Sequence, residues 1–187
     1  MNYKKALCYF SLLLALAFLM PCRGWSQPLG EIRPKPGTRA PVVTNAFAIE
    51  KGYYGSIWKI YIEAEDPDGD MLRIASVVEQ PGYGRYPTDF IYLKPQYQGH
   101  LRGYLQWNTF SFHTNYLRDW TEITLAVSIL DRAGNESNVV VFPFTFESGA
   151  RTPDKPPPPF DQRDLPKIGN LFIDLYEPTL MGGARDD

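Results

Sequence analysis

Ile57-Trp58-Lys59-Ile60-Tyr61-Ile62-Glu63-Ala64 runs without a break into Glu65-Asp66-Pro67-Asp68-Gly69-Asp70. The first eight residues put Trp58, Ile60, Ile62 and Ala64 on one side of an extended chain and Lys59, Tyr61 and Glu63 on the other. Successive side chains of a strand point to opposite faces, so this pattern predicts a strand with one face in a core and one toward solvent. The acidic stretch that follows ends it. Pro67 presets φ for a turn, Gly69 permits a positive φ, and an aspartate carboxylate accepts bonds from backbone amides just ahead of it.

The same device recurs further along. Thr121 to Leu130 alternates Ile123, Leu125, Val127 and Ile129 with Thr124, Ala126 and Ser128, and Val140, Phe142, Phe144 and Phe146 form a third stripe. Weaker strands are expected at residues 42–49, 71–78, 90–93 and 104–110. Pro143 has no N–H for a ladder, which places the last strand at an edge or gives it a bulge there. About seven strands in roughly 105 residues, separated by Gly, Pro, Asn and Asp clusters, predict an all-β chain with the fold of an immunoglobulin-like antiparallel β-sandwich. Trp58, Ile60, Ile62, Leu125, Val127, Ile129, Phe142 and Phe144 are its expected core.

The sandwich is expected over residues 42–148, with flexible arms on either side. Residues 1–26 read as a signal peptide. Lys4 and Lys5 form a positive start, Ala6 to Met20 is apolar, and Gly24 and Ser26 are the small residues of a cleavage before Gln27. The apolar stretch is short for a membrane span, which needs ~20 residues, so a retained anchor is the lesser reading. Leu19-Met20-Pro21-Cys22 has the leucine-to-cysteine spacing of a lipid-attachment signal, which Pro21 fits poorly. Residues 27–41 form a proline-rich extended leader. Residues 149–187 hold a linker with Pro156-Pro157-Pro158-Pro159 and an apolar island, Ile168 to Tyr176. The linker is expected to hold the island away from the sandwich as a motif that adds a strand to a partner's sheet; the alternative is that it covers an edge of its own sheet.

Export sets the chemistry available. Cys8 and Cys22 both fall within residues 1–26, so a chain cleaved before Gln27 has no disulfide, thiolate nucleophile or cysteine metal site. Cleavage also removes three positive charges (Lys4, Lys5, Arg23) and no negative ones, leaving 16 basic against 21 acidic residues, a balance of −5. That balance argues against nucleic acid and anionic membrane surfaces as partners.

A second acidic turn, Asp131-Arg132-Ala133-Gly134-Asn135, separates the last two predicted strands. With Tyr61 to Leu72 and Val127 to Ser137, the chain resembles bacterial immunoglobulin-like and cadherin-like modules of exported proteins. In these, an Asp-Pro-Asp-Gly-Asp unit follows an early strand and an Asp-x-Ala-Gly-Asn-x-Ser turn lies between the last two. The resemblance covers residues 40–148 and implies an adhesive or interaction module. Unlike cadherins proper, the sequence has neither an acidic interdomain linker nor a second module in tandem.

Two turns at one end of a sandwich put Asp66, Asp68, Asp70, Asp131 and Asn135 forward as oxygen ligands for Ca²⁺, the one cofactor the sequence suggests. The first turn is not an EF-hand loop: the glycine position is Met71, and position twelve is Val77. The competing reading is that the same residues are turn formers. Trp107, Trp120 and Tyr53, Tyr54, Tyr83, Tyr86, Tyr92, Tyr97 and Tyr104 are either core and edge cover or an exposed platform for sugars or a protein. Gly82 to Pro87 is the best loop for a contact surface.

Nothing points to catalysis. His100 and His113 have no ligand-spaced partner, and no serine lies in a nucleophile elbow. The sequence reads as an exported, periplasmic or cell-surface module that is not an enzyme and binds another envelope protein. The alternative is a carbohydrate-binding module using exposed aromatics.

Overall fold

The computed structural model describes residues 35–113, 121–150 and 155–176. The expected signal peptide, the leader up to residue 34, Trp120 and the end of the tail lie outside them. The strands are β1 (Val42–Ala48), β2 (Lys51–Gly52), β3 (Ile57–Glu65), β4 (Met71–Gln80), β5 (Gly84–Arg85), β6 (Asp89–Tyr92), β7 (His100–Asn108), β8 (Glu122–Asp131), β9 (Val140–Phe146) and β10 (Lys167–Leu171). Among the described residues no helix is long and apolar enough to cross a membrane.

Two sheets face each other. One has the order β1-β3-β7-β10; the other has β2-β9-β8-β4-β5, with β6 also on β4. Named in immunoglobulin fashion, β1, β3 and β7 are A, B and E, and β9, β8 and β4 are G, F and C, each set in its expected sheet order. The fold is the predicted all-β immunoglobulin-like sandwich. All eight predicted core residues are buried. Trp58 sits opposite Trp107 across β3 and β7 and packs on the ring of Phe144 from the other sheet, centroids 4.4 Å apart. Its Nε1 donates to the Ile49 carbonyl at 2.9 Å, so the polar end of the largest core side chain is satisfied.

Several details depart from the sequence pattern. β7 begins at His100, four residues before the predicted start. Gly103 lies mid-strand, at a position where a Cβ would run into the Pro166 carbonyl and Ile168. The outward side of β8 is also covered: Ala126 and Leu130 join Ala75 and Val77 in a small second cluster, and Ser128 Oγ donates to Glu136 at 2.7 Å. Pro143 lies on an edge as predicted. Two residues on, the Thr145 amide donates outward to Glu50 at 2.8 Å, so the outward N–H that Pro143 lacks would have met no partner beyond the short β2.

The C-terminal segment is not a free arm. β10 pairs in parallel with β7, Leu171 beside Trp107, in the place that strand D holds next to E. Alternation supplies the reason: Leu171, Ile173 and Leu175 turn inward, and Phe160 is buried upstream. Burying each such side chain contributes about 1.5–3 kcal/mol. Polar contacts fasten it. Trp107 Nε1 donates to the Ile173 carbonyl at 3.1 Å and Ser111 Oγ to the Leu175 carbonyl at 2.5 Å. The Phe172 amide reaches Asp89 on β6 at 2.9 Å, so the tail seals the side of the sandwich between the two sheets.

Candidate functional site

The two acidic turns do meet. β4 and β8 are antiparallel neighbours with Met71 opposite Asp131, and the Arg132 amide donates to the Asp70 carbonyl at 3.1 Å. The carboxylates are differently employed, however. Asp66 is buried and accepts from the amides of Asp68 at 3.0 Å and Asp70 at 2.8 Å, while Gly69 takes φ 74°. Asp131 accepts from the Asn135 amide at 2.7 Å and its side-chain nitrogen at 2.6 Å. Asp68 turns outward to Arg39, accepting from its backbone amide at 2.7 Å and its Nε at 3.2 Å. That backbone bond, with the guanidinium, holds the Asp68 carboxyl below the usual range.

Asp70 is the exception. Its Oδ1 is buried without a hydrogen-bond partner. Burial first, then the charges of Asp131 and Asp66, push its carboxyl above the usual range. Three of the four aspartates therefore share a corner and Asp68 does not. The segment before β1 clamps this corner: Lys35 donates to the Ala133 carbonyl at 2.9 Å and Asn135 to Thr38 Oγ1 at 2.8 Å. Among the described residues no group of three or more acidic, histidine or cysteine side chains is arranged to hold a metal ion. As the donors stand, they make turns.

The Gly82–Pro87 loop is a clasp more than an open surface. Tyr86 is buried and donates from its hydroxyl to Gln80 Oε1. That hydroxyl accepts the Tyr176 amide at 2.8 Å, and Gln80 Nε2 donates to the Tyr176 carbonyl at 2.9 Å. Desolvation pushes the Tyr86 phenol up to about 12. His113, Tyr176, Tyr83 and Tyr86 stack in series at centroid spacings of 4.2, 5.0 and 4.4 Å. Both sequence-favoured features of this region, loop and island, thus hold each other.

Three exposed phenylalanines cluster where the sequence offered no sign of it. Phe110, Phe112 and Phe172 are 46%, 87% and 80% exposed and border a groove of about 250 Å³ with Asn108, Asn170 and Asp174. β7 delivers Phe110 just past its end, and β10 delivers Phe172. Phe110 and Phe112 meet edge to face at 5.7 Å. Of the aromatics singled out from sequence, Trp107 is wholly buried, while Tyr53 and Tyr92 lie exposed outside this groove.

No known protein family matches the chain, and neither does any curated protein. Among solved structures, the PKD domain of an M14-like peptidase from Thermoplasmatales archaeon SCGC AB-540-F20 aligns at 14% identity and a TM-score of 0.37, covering 59% of this chain and 99% of that one. The fold assignment rests on the strand order above.

Proposed function

We propose that this chain is an exported, non-catalytic immunoglobulin-like interaction module of a bacterial envelope, and that it docks a partner protein through Phe110, Phe112 and Phe172. The observation that carries the reading is the exposure of Phe112 and Phe172, which leave most of their surface in water. Large apolar side chains grouped in this way mark contact surfaces, and a protruding ring fits a pocket in a partner. The carbohydrate-binding alternative draws on the amides and carboxylate beside the rings, Asn108, Asn170 and Asp174. A Ca²⁺ ion at the Asp66, Asp70 and Asp131 corner belongs to the same proposal, on the condition that these side chains, which as they stand are not arranged to hold a metal, rearrange around it. It is supported by the unpartnered Asp70 oxygen and would have to displace hydrogen bonds at the other two.

A photo-crosslinker at position 112, used in a whole envelope fraction, tests the docking face. A discrete protein adduct that disappears in Phe110→Ser/Phe172→Ser, with an unchanged melting temperature, is expected. Saturable binding on a glycan array, lost in the same variant, with no adduct, overturns the protein partner in favour of the sugar.

A further inference from the structure

We propose that the cleft between the outer face of β3 and β7 and the strap formed by residues 155–165 binds an acidic saccharide. The cleft holds about 350 Å³ and is walled by Lys59, Tyr61 and Tyr104 from the sheet and by Lys155, Arg163 and Leu165 from the strap. It is a fixed feature. Phe160 is buried against the ring of Tyr61, centroids 5.6 Å apart. Arg102 donates to the Pro159 carbonyl, and the Tyr104 amide donates to Pro166 at 3.0 Å.

Charge characterises the cleft. In a chain with more acidic than basic residues, three cations line this one depression, with Asp161 the acidic residue of its wall. Among the described residues none of the three is in a salt bridge. Lys59 Nζ lies 4.8 Å over the Tyr104 ring, so its position is set by a ring and its charge is left for a ligand. Three cations in a pocket of this size suit one or two anionic groups. Nucleic acid would need a longer basic stripe.

The rest of the wall says what carries the anion. Tyr61 and Tyr104 are half-buried and meet at 5.8 Å with their rings inclined at 51°, so the wall offers aromatic edges and the ring surface not taken by Phe160 and Lys59 to the C–H groups of a pyranose. Burial, followed by the neighbouring Tyr104, pushes the Tyr61 phenol up, which keeps its hydroxyl a donor at any physiological pH. Gln162 adds an amide for sugar hydroxyls. Ring surface, neutral donors and unpaired cations together describe a sugar bearing a carboxylate or a phosphate.

Calorimetric titration with trigalacturonate, glucose 6-phosphate, neutral galactotriose and inorganic phosphate tests this and tells the two anion sources apart. Saturable binding of one sugar acid is expected, without binding of galactotriose. Lys59→Gln/Arg163→Gln should weaken it about tenfold or more, the loss of charged hydrogen bonds, while the melting temperature stays put because both side chains are exposed. Absence of saturable binding to either sugar acid overturns the proposal. So does equal binding of inorganic phosphate, which would leave a bare charge site, or an affinity the double variant does not change. Neither substitution touches Phe110, Phe112 or Phe172, so this result is independent of the docking face.

Discussion

Leu175 is the sharpest test of the closed sandwich. It lies past the last ladder pair of β10, yet it is fully buried and its carbonyl accepts from Ser111. Replacing it with alanine leaves a cavity rather than a collapsed surface, because the clasp of Gln80, Tyr86 and Tyr176 holds the next residue in place. Truncating a buried leucine costs about 2–5 kcal/mol, a large share of the ~5–15 kcal/mol that typically holds a domain together. In a chain of this size each kcal/mol lowers Tm by about 2–4 °C, so a fall of roughly 4–20 °C is expected. Thermal melts and urea titrations followed by circular dichroism read it, with an unchanged urea slope showing that the folded state keeps its extent. Gly103→Ala attacks the docking of the same C-terminal segment at another point, where a Cβ on β7 would meet Pro166 and Ile168, and should destabilise in the same direction. A leucine on a free tail would change stability by about 0.5 kcal/mol or less. If Leu175→Ala melts with the parent protein, the tail does not complete the core and the closed edge is wrong.

Three further outcomes follow from the geometry. The folded Asp70 carboxyl is raised above its unfolded value, so its contribution is fully present at acid pH and is lost as pH rises through the folded value. Asp70→Asn should therefore raise the melting temperature at pH 7 and make no difference near pH 3; a lower melt at pH 7 would contradict the crowded-carboxylate account. If Ca²⁺ relieves that crowding, millimolar calcium raises the melt of the parent relative to chelator and leaves Asp70→Asn unmoved, and coincident melts leave these residues as turn formers. The Tyr86 phenol is raised to about 12. Its stabilisation is present below the ordinary tyrosine value near 10 and fades as pH climbs to about 12, so Tyr86→Phe should flatten the alkaline loss of urea resistance.

How much of this the sequence carried depends on distance along the chain. Strands such as β3, β8 and β9 show period-two alternation, a local signal that directly reports one buried face. β2 and β5 are two residues each, below any period. For β10 the alternation of Leu171, Ile173 and Leu175 was visible, and could have been read as an inward stripe, but its partner β7 lies about sixty residues upstream and no local pattern names a distant edge. The meeting of the two acidic turns followed from strand order alone. The direction each carboxylate takes did not, since Arg39 claims Asp68 from across the fold. The exposed phenylalanines were illegible for the same reason: Phe112 and Phe172 look like core residues until the strands beside them are placed.

The parallel pairing of β10 has a consequence for biogenesis. The strand that finishes the four-stranded sheet is drawn from residues 167–171, and its anchor reaches Tyr176. Until that stretch docks, β7 presents a row of unsatisfied amides and carbonyls along an apolar opening. That is the condition that recruits chaperones or invites pairing with another nascent chain. The sandwich closes only with its last strand, so a chain ending before residue 160 would carry β1 to β9 and an open flank beside β7.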